Sequence, residues 1–463
     1  MSISAVVLKK LVGITGKKHV INDPEELVCY SYDASGNAFL PDAVVFPISS
    51  RQISKILKLA NRESFAVIPR GSGSGMTGGS LPVHGGIVMA LTRMNHILEI
   101  DKENFVAVVE PGVVTGDFHR AVENKGLFYP PDPASSSFCT LGGNIGECAG
   151  GPRAVKYGVT RDYVLGLEAV TATGDIIHTG VRTAKGVAGY DLTRLIVGSE
   201  GTLAVVTKII LKLVPLPEKV KTLAVLFDSM KKAAETVSAV IREAVVPRCI
   251  EYMDRASIKC VEDEFKAIMP DSVFRNIDAV LLIDIDGSCR TIEKDAEKLE
   301  KFCLEKGAYH VIAAKDSKQA SDLWKARKSL SPALFKLAPN KINEDIVVPI
   351  NKIPHMVERL EKIQKETGLA IVSFGHAGDG NIHCNIMYDK RKRKESELAG
   401  RAVDELFEFT LKLGGTITGE HGVGITKMKY FPIETGEIEI KMMKNIKQVF
   451  DPGNILNPGK IFN

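Results

Sequence analysis

The chain lacks any CxxC pair. Its eight cysteines (Cys29, Cys139, Cys148, Cys249, Cys260, Cys289, Cys303 and Cys384) stand singly. That spacing excludes an iron–sulfur cluster or a structural zinc held by the chain's own thiolates. Unpaired thiols read as the reduced cysteines of a cytoplasmic protein. Long apolar runs are missing too. None approaches the roughly 18 residues of a membrane span, so no transmembrane segment is expected. No Lys or Arg precedes the short apolar stretch Ile3–Leu8, so the start does not read as a signal peptide. A surplus of one charge sign is also absent, with a net charge of +4 over 463 residues. Basic runs such as Lys390–Lys394 carry no interleaved aromatics and read as solvated faces. Nucleic-acid binding is therefore excluded as a function. No repeat of solenoid period is visible.

What is present describes an ordinary globular chain, with 44% hydrophobic and 25% charged residues. At 463 residues it is too long for one core, so two or three domains are expected. From Ala43 to Val214, short Val/Ile strands alternate with glycine loops. Strands are expected at Val44–Pro47, Phe65–Pro69, Ile87–Leu91, Phe105–Val109, Leu167–Thr171 and Leu203–Leu213. Ser49 and Gln52 resemble a capping box opening a helix through Asn61. Pro215-Leu-Pro217 marks a boundary. Beyond it come two strand–helix–strand units: Thr222–Phe227, Met230–Glu243 and Cys249–Tyr252, then Ala279–Ile285, Ile292–Lys306 and Tyr309–Ala313. They predict an α+β domain with helices on one face of a sheet. Further helices are expected near Lys352–Glu366 and Glu395–Leu413.

The most informative stretch is Gly375-His-Ala-Gly-Asp-Gly-Asn-Ile-His383, followed later by Gly419-Glu-His-Gly422. Strand-like residues flank the first on both sides, and Asp379-Gly380 is a strong hairpin signal. If those two residues centre the turn, His376 opposes His383 on one face, with Cβ atoms roughly 4.5–5.5 Å apart. Two imidazoles so placed suit one metal ion, and Glu420 offers a carboxylate. Such a set leaves positions open for water or substrate. A third histidine, His421, is left over for chemistry. The alternative is a pair of purely structural histidines.

Three glycine loops mark the first half. Arg70-Gly-Ser-Gly-Ser-Gly-Met-Thr-Gly78 contains a formal GxGxxG, but it runs into Gly79-Ser-Leu-Pro82, which cannot open the helix that a Rossmann site requires. The second loop is Pro131–Asn144 followed by Gly146. The third is Gly198-Ser-Glu-Gly-Thr-Leu203. Glycine lets backbone amides approach a pyrophosphate closely, so three such loops suggest one extended ligand wrapped by backbone.

Arg70–Gly75, Pro131-Asp-Pro133, Thr140-Leu-Gly-Gly143 and Gly198–Thr202 resemble the PCMH-type FAD-binding domain of the vanillyl-alcohol oxidase superfamily. Gly375–His383, Gly419–Gly422 and Asp451–Lys460 resemble its D-lactate dehydrogenase / glycolate oxidase large-subunit branch. The resemblance implies an α+β fold: a two-lobed FAD-binding domain over residues 1–216, an α+β cap with an antiparallel sheet over 217–440, and a segment 441–463 returning to the FAD domain. It implies FAD contacts by Arg70, Gly71, Ser72, Gly73, Ser74, Gly75, Asp132, Ser135, Thr140, Gly143, Gly146, Glu200, Gly201, Val206 and Asn457. Relatives that attach FAD covalently use a histidine where this chain has Ser74, so the flavin is expected to be noncovalent. His376, His383 and Glu420 would ligate one divalent metal (zinc, iron or manganese). His421 would be the catalytic base and Arg327 the carboxylate clamp. Asn385 would share the strand face of His383 and reach the substrate. Lys341 would be a second cation, although Asn343 competes for that place. The implied activity is oxidation of a small D-2-hydroxy acid, D-lactate or glycolate, to the 2-oxo acid. Electrons would pass to an external acceptor protein, either an electron-transfer flavoprotein or an iron–sulfur subunit. Two alternatives stand beside it: a non-catalytic electron-transferring subunit of a larger complex, and a non-redox FAD transferase resembling alkylglycerone-phosphate synthase.

Overall fold

The computed structural model describes residues 3–242, 246–269 and 271–462. The chain divides into two compact units. The first takes Met1–Gly150, Val159–Leu216 and Glu420–Asn463, and the second takes Gly151–Gly158 and Pro217–Gly419. The sequence reading placed the return to the first unit at residue 441; the chain re-enters it at Glu420. Residues just after Glu420 already bond within that unit. The Thr77 hydroxyl donates to the His421 carbonyl at 2.9 Å, and the Glu200 carboxylate accepts from the amides of Val423 and Gly424 at 2.8 and 2.7 Å.

The first unit carries a four-stranded, a five-stranded and a two-stranded sheet among its described residues. Strands β1 (Val20–Ile21), β2 (Ala43–Val45), β3 (Val67–Arg70) and β4 (Ile87–Ala90) form a four-stranded sheet in the order β1-β2-β4-β3. Its β2, β4 and β3 run parallel. Strands β5 (Ile97–Asp101), β6 (Val106–Val109), β8 (Val164–Thr171), β9 (Ile176–Gly180) and β10 (Ala204–Lys212) form an antiparallel sheet in the order β5-β6-β10-β8-β9. A small pair joins β7 (Leu127–Phe128) to β11 (Val214–Pro215). The amphipathic helix Ser50–Glu63 packs Ile53, Ile56, Leu57 and Ala60 against Val45, Val67, Ile87 and Met89 in one core. Ser49 caps that helix by accepting from the Gln52 amide, while the Gln52 side chain takes the Ile48 amide.

The second unit holds one seven-stranded sheet. Its strands are β12 (Lys219–Phe227), β13 (Cys249–Asp254), β14 (Ala279–Gly287), β15 (His310–Ala313), β16 (Asn340–Val347), β17 (Ala370–His376) and β18 (Asn381–Tyr388). The order is β15-β12-β14-β13-β17-β18-β16, and every pairing is antiparallel. The two expected strand–helix–strand units therefore interleave, each inserting a strand between the two of the other, as in split βαβ folds. The first crossover helix is Met230–Arg242; its expected last residue, Glu243, lies outside the described residues. The second is Ile292–Glu305. Helix Ser317–Ala333 packs Leu323, Ala326 and Leu330 against Leu226, Met253, Leu282 and Phe374 of the sheet. The mixed helix-and-sheet class expected from the sequence is the class observed.

Among the described residues, no helix is long and apolar enough to cross a membrane.

One side chain shapes the turn in the chain's last segment. Asp451, fully buried, accepts from the amides of Ile455 and Leu456 at 3.0 and 2.8 Å and pairs with the Lys447 ammonium. This turn lays Leu456 beside Val67 as a parallel bridge on β3. Asp451→Ala should cost about 3–5 kcal/mol, because it removes the acceptor of two buried amides and the counter-charge of the largely enclosed Lys447, which keeps only carbonyl partners. A thermal melt of the FAD-loaded variant checks this. An unchanged midpoint would contradict it.

Candidate flavin and metal sites

In an antiparallel sheet, directly opposed residues share a face, and residues two apart along a strand return to it. Glu251 on β13 opposes His376 on β17. Phe374 opposes His383 on β18, and Asn343 on β16 opposes Asn385. Glu251, His376, His383, Asn385 and Asn343 thus lie on one face of the second unit. The hairpin is not the two-residue turn expected from Asp379-Gly380. Residues 377–380 all lie outside the strands, and His383 pairs with Phe374 rather than with His376. The cause is bonding outside the hairpin: the Gly378 amide donates to the Ile250 carbonyl, and the Gly380 carbonyl accepts from Val348. Gly380 has φ +85°, and a Cβ there would lie 2.1 Å from the Val348 oxygen. The shift is two residues, so both histidines keep the same face.

Their Nε2 atoms stand 3.3 Å apart, with ring planes nearly perpendicular. Nitrogens bound to one tetrahedral zinc at about 2.0–2.1 Å lie roughly 3.3 Å from each other, so the pair fits a shared cation. On its other side, His376 Nδ1 hydrogen-bonds Glu251 Oε1. Glu251 is fully buried, and its Oε2 accepts from Arg327 Nε and Nη2 at 2.8 and 2.6 Å. Burial alone would raise the Glu251 carboxyl, but His376 and Arg327 outweigh it and hold the group below the ordinary glutamate range. Arg327 also lies 4.7 Å over the Phe374 ring. Sequence reasoning missed Glu251. The available signal was a single charge inside the apolar run Cys249-Ile-Glu-Tyr-Met253.

Asn385 has no exposed surface. Its amide donates to the carbonyls of Val372 and His383 at 3.2 Å each, and its oxygen accepts from Asn343 at 2.7 Å. Lys341 stands two residues along β16 from Asn343. Its ammonium donates to Ser331 at 2.7 Å, and burial lowers its pKa. Gly419 ends the unit with its amide on Asp345 at 2.9 Å, so Glu420 follows directly from an anchored residue. Gly422 has φ +75°, which favours glycine, whereas Gly419 serves close approach, since a Cβ there would meet Asn381 at 2.5 Å.

In the first unit, the three glycine loops are fastened to one another. Ser72 donates to the Phe138 carbonyl at 2.5 Å, and a Cβ on Gly71 would meet Thr140 Oγ1 at 2.3 Å. Thr140 caps the seven-residue helix Leu141–Glu147, which takes the place of the end of the loop expected over Pro131–Asn144. The Glu200 amide donates to the Gly146 carbonyl at 2.8 Å. The Asn457 amide bridges the carbonyls of Gly79 and Glu200, both at 2.7 Å. Arg70, Gly71, Ser72, Gly73, Ser74, Gly75, Thr140, Gly143, Gly146, Glu200, Gly201 and Asn457 therefore belong to one bonded set of loops. Asp132 and Ser135 stand on the second loop and Val206 on β10. Two assigned side chains turn inward. Arg70 donates to the Tyr32 carbonyl at 2.8 Å and to Ser80. The Glu200 carboxylate serves Val423 and Gly424, and burial raises its pKa. No regular element follows the first loop before β4, consistent with the rejected Rossmann reading.

Residues 41–180 match the family "FAD binding domain", and residues 216–461 match "FAD linked oxidases, C-terminal domain". Glycolate oxidase subunit GlcD of Bacillus subtilis is 47% identical over 98% of this chain and 96% of its own length. D-lactate dehydrogenase of Anaerostipes hadrus is 36% identical over 91% and 89%. The structure of p-cresol methylhydroxylase with substrate bound superposes with a TM-score of 0.80 at 19% identity, covering 98% of this chain and 96% of that one. That likeness shows the PCMH-type fold. With a family match over more than half its length and relatives aligned almost end to end, the chain belongs to the FAD-linked oxidases, in the branch of the D-lactate dehydrogenases and glycolate oxidase large subunits.

Proposed function

We propose that the chain oxidises a small D-2-hydroxy acid, D-lactate or glycolate, to its 2-oxo acid, using noncovalent FAD and one divalent metal. The observation that carries this reading is the 3.3 Å approach of His376 Nε2 and His383 Nε2 in a family of FAD-linked oxidoreductases. The names of relatives as D-lactate dehydrogenase and glycolate oxidase support the substrate class. When bound, FAD supplies the acceptor for an electron pair, and the metal supplies a Lewis acid for hydroxyl and carboxylate.

The chain's own residues do the rest. His376, His383 and Glu420 hold the cation, and their N/O donors suit zinc, iron or manganese. His421 takes the hydroxyl proton on its imidazole. Arg327 has five N–H donors. Those not directed at Glu251 meet the substrate carboxylate. Asn385 and Asn343 form the polar floor beside His383, and Lys341 is a second cation further along β16. The fastened glycine loops hold the flavin through backbone amides, and Ser74 provides no histidine for a covalent link. Electrons leave to a separate protein, an electron-transfer flavoprotein or an iron–sulfur subunit, and the reading places the chain in the cytoplasm.

Three outcomes are expected. Dichlorophenolindophenol should be reduced with D-lactate or glycolate, and a chelator should stop turnover until metal is restored. Silence against a full panel of D- and L-2-hydroxy acids sinks the activity and favours a non-catalytic subunit. Undiminished turnover in a verifiably metal-free sample sinks the metal. Acid precipitation should release the yellow cofactor to the supernatant, whereas a yellow pellet would mean a covalent flavin. His421→Asn should keep FAD and metal yet lower kcat by on the order of 10²–10⁴. Stopped-flow mixing with substrate is the check: flavin bleaching at the wild-type rate removes His421 from the role of base.

A further inference from the structure

The Glu251 carboxylate is out of water on a strand that is otherwise apolar until Asp254. A buried charge persists only when its oxygens are matched by donors. Here the match is divided. One oxygen receives two N–H groups of Arg327, and the other faces His376 Nδ1. An ion pair serving stability alone would need the arginine only, and well-packed apolar residues could replace it at little cost. The second oxygen has a different consequence. An ionised carboxylate can only accept, so His376 must carry its proton on Nδ1. The lone pair of a neutral His376 then sits on Nε2, the atom 3.3 Å from His383 Nε2. The cross-strand register places this carboxylate directly opposite His376, so the arrangement follows from sheet pairing.

We infer that Glu251 is the positioning residue of the metal centre. It fixes the His376 tautomer and ring orientation through Oε1, and through Oε2 it holds Arg327 at a set place relative to that ligand. The role rests on the proposed metal reading and adds a residue that none of the family assignments supplied. Carboxylate partners of this kind orient metal-bound histidines, and losing one weakens metal binding by about 10–100-fold.

The test separates positioning from charge pairing. Arg327→Lys alone keeps a cation for the second oxygen and leaves Glu251 on His376, so the FAD-loaded variant should bind zinc within about twofold of wild type. Glu251→Met combined with Arg327→Met removes both buried charges together and avoids stranding either. Its zinc dissociation constant, from competition with a chromophoric chelator, should rise about 10–100-fold with FAD content unchanged. Equal zinc affinity in the single and double variants overturns the inference and leaves the metal reading intact. A wild type that takes up no zinc, iron or manganese overturns both. If the double variant fails to retain FAD, the wild type decides: ¹⁵N NMR of histidine-labelled protein, with His376→Asn for assignment, should show His376 protonated at Nδ1. A proton on Nε2 instead rejects the role.

Discussion

Alternation of side chains along a fully antiparallel sheet is the constraint on which the second unit's chemistry depends. Glu251, His376, His383, Asn385 and Asn343 come from four strands, yet register puts them on one face. Any even shift in pairing preserves that face, and any odd shift destroys it. The opposite parity is filled with Ile250, Tyr252, Ile382 and Cys384, all buried. A one-residue slip would drive the histidines into that layer and bring the apolar set onto the site's face. The apolar residues between the functional ones therefore guard the register of the site.

This parity explains how much of the site was legible. His376 and His383 are an odd seven positions apart in the chain, and a tight turn between them reverses direction, so facing imidazoles followed from the Asp379-Gly380 signal. The turn itself is longer because Gly378 and Gly380 bond to residues outside the hairpin. No local pattern encodes partners as distant as Ile250 and Val348. Glu251 escaped for the same reason: its meaning comes from His376 and Arg327, which are distant in sequence. The glycine loops were legible because close approach demands glycine wherever it occurs. What they did not disclose was inward bonding, as when Arg70 turns to Tyr32 and Ser80. A side chain's direction depends on neighbours that a linear motif does not contain.

Charge inside the second unit is handled by sharing. Glu251 divides its oxygens between a cation and an imidazole. Asp286, whose side chain is fully buried, does likewise with Lys156, Tyr157 and Arg248. Two of those partners lie in Gly151–Gly158, the short piece that belongs to this unit although its neighbours in sequence belong to the other. Val155 of the same piece lies against Gly378, where a Cβ would come within 2.8 Å. The hairpin's glycine is thus spoken for by a segment far upstream.

The path of the chain also sets an order of events. The first unit is built from three stretches, and the second is nearly all one, Pro217–Gly419. During synthesis that long stretch is made before the last stretch of the first unit, so much of its sheet can form while its neighbour waits. The first unit then lacks Asn457, which ties the first and third glycine loops together, and Asp451, which shapes the turn before it. Its closing contacts span nearly four hundred residues, and contacts of such separation form slowly. The loops assigned to the flavin are consequently the last part of the molecule to be locked, so a chain short of only its final stretch would have an ordered histidine hairpin and an unfinished cofactor cradle.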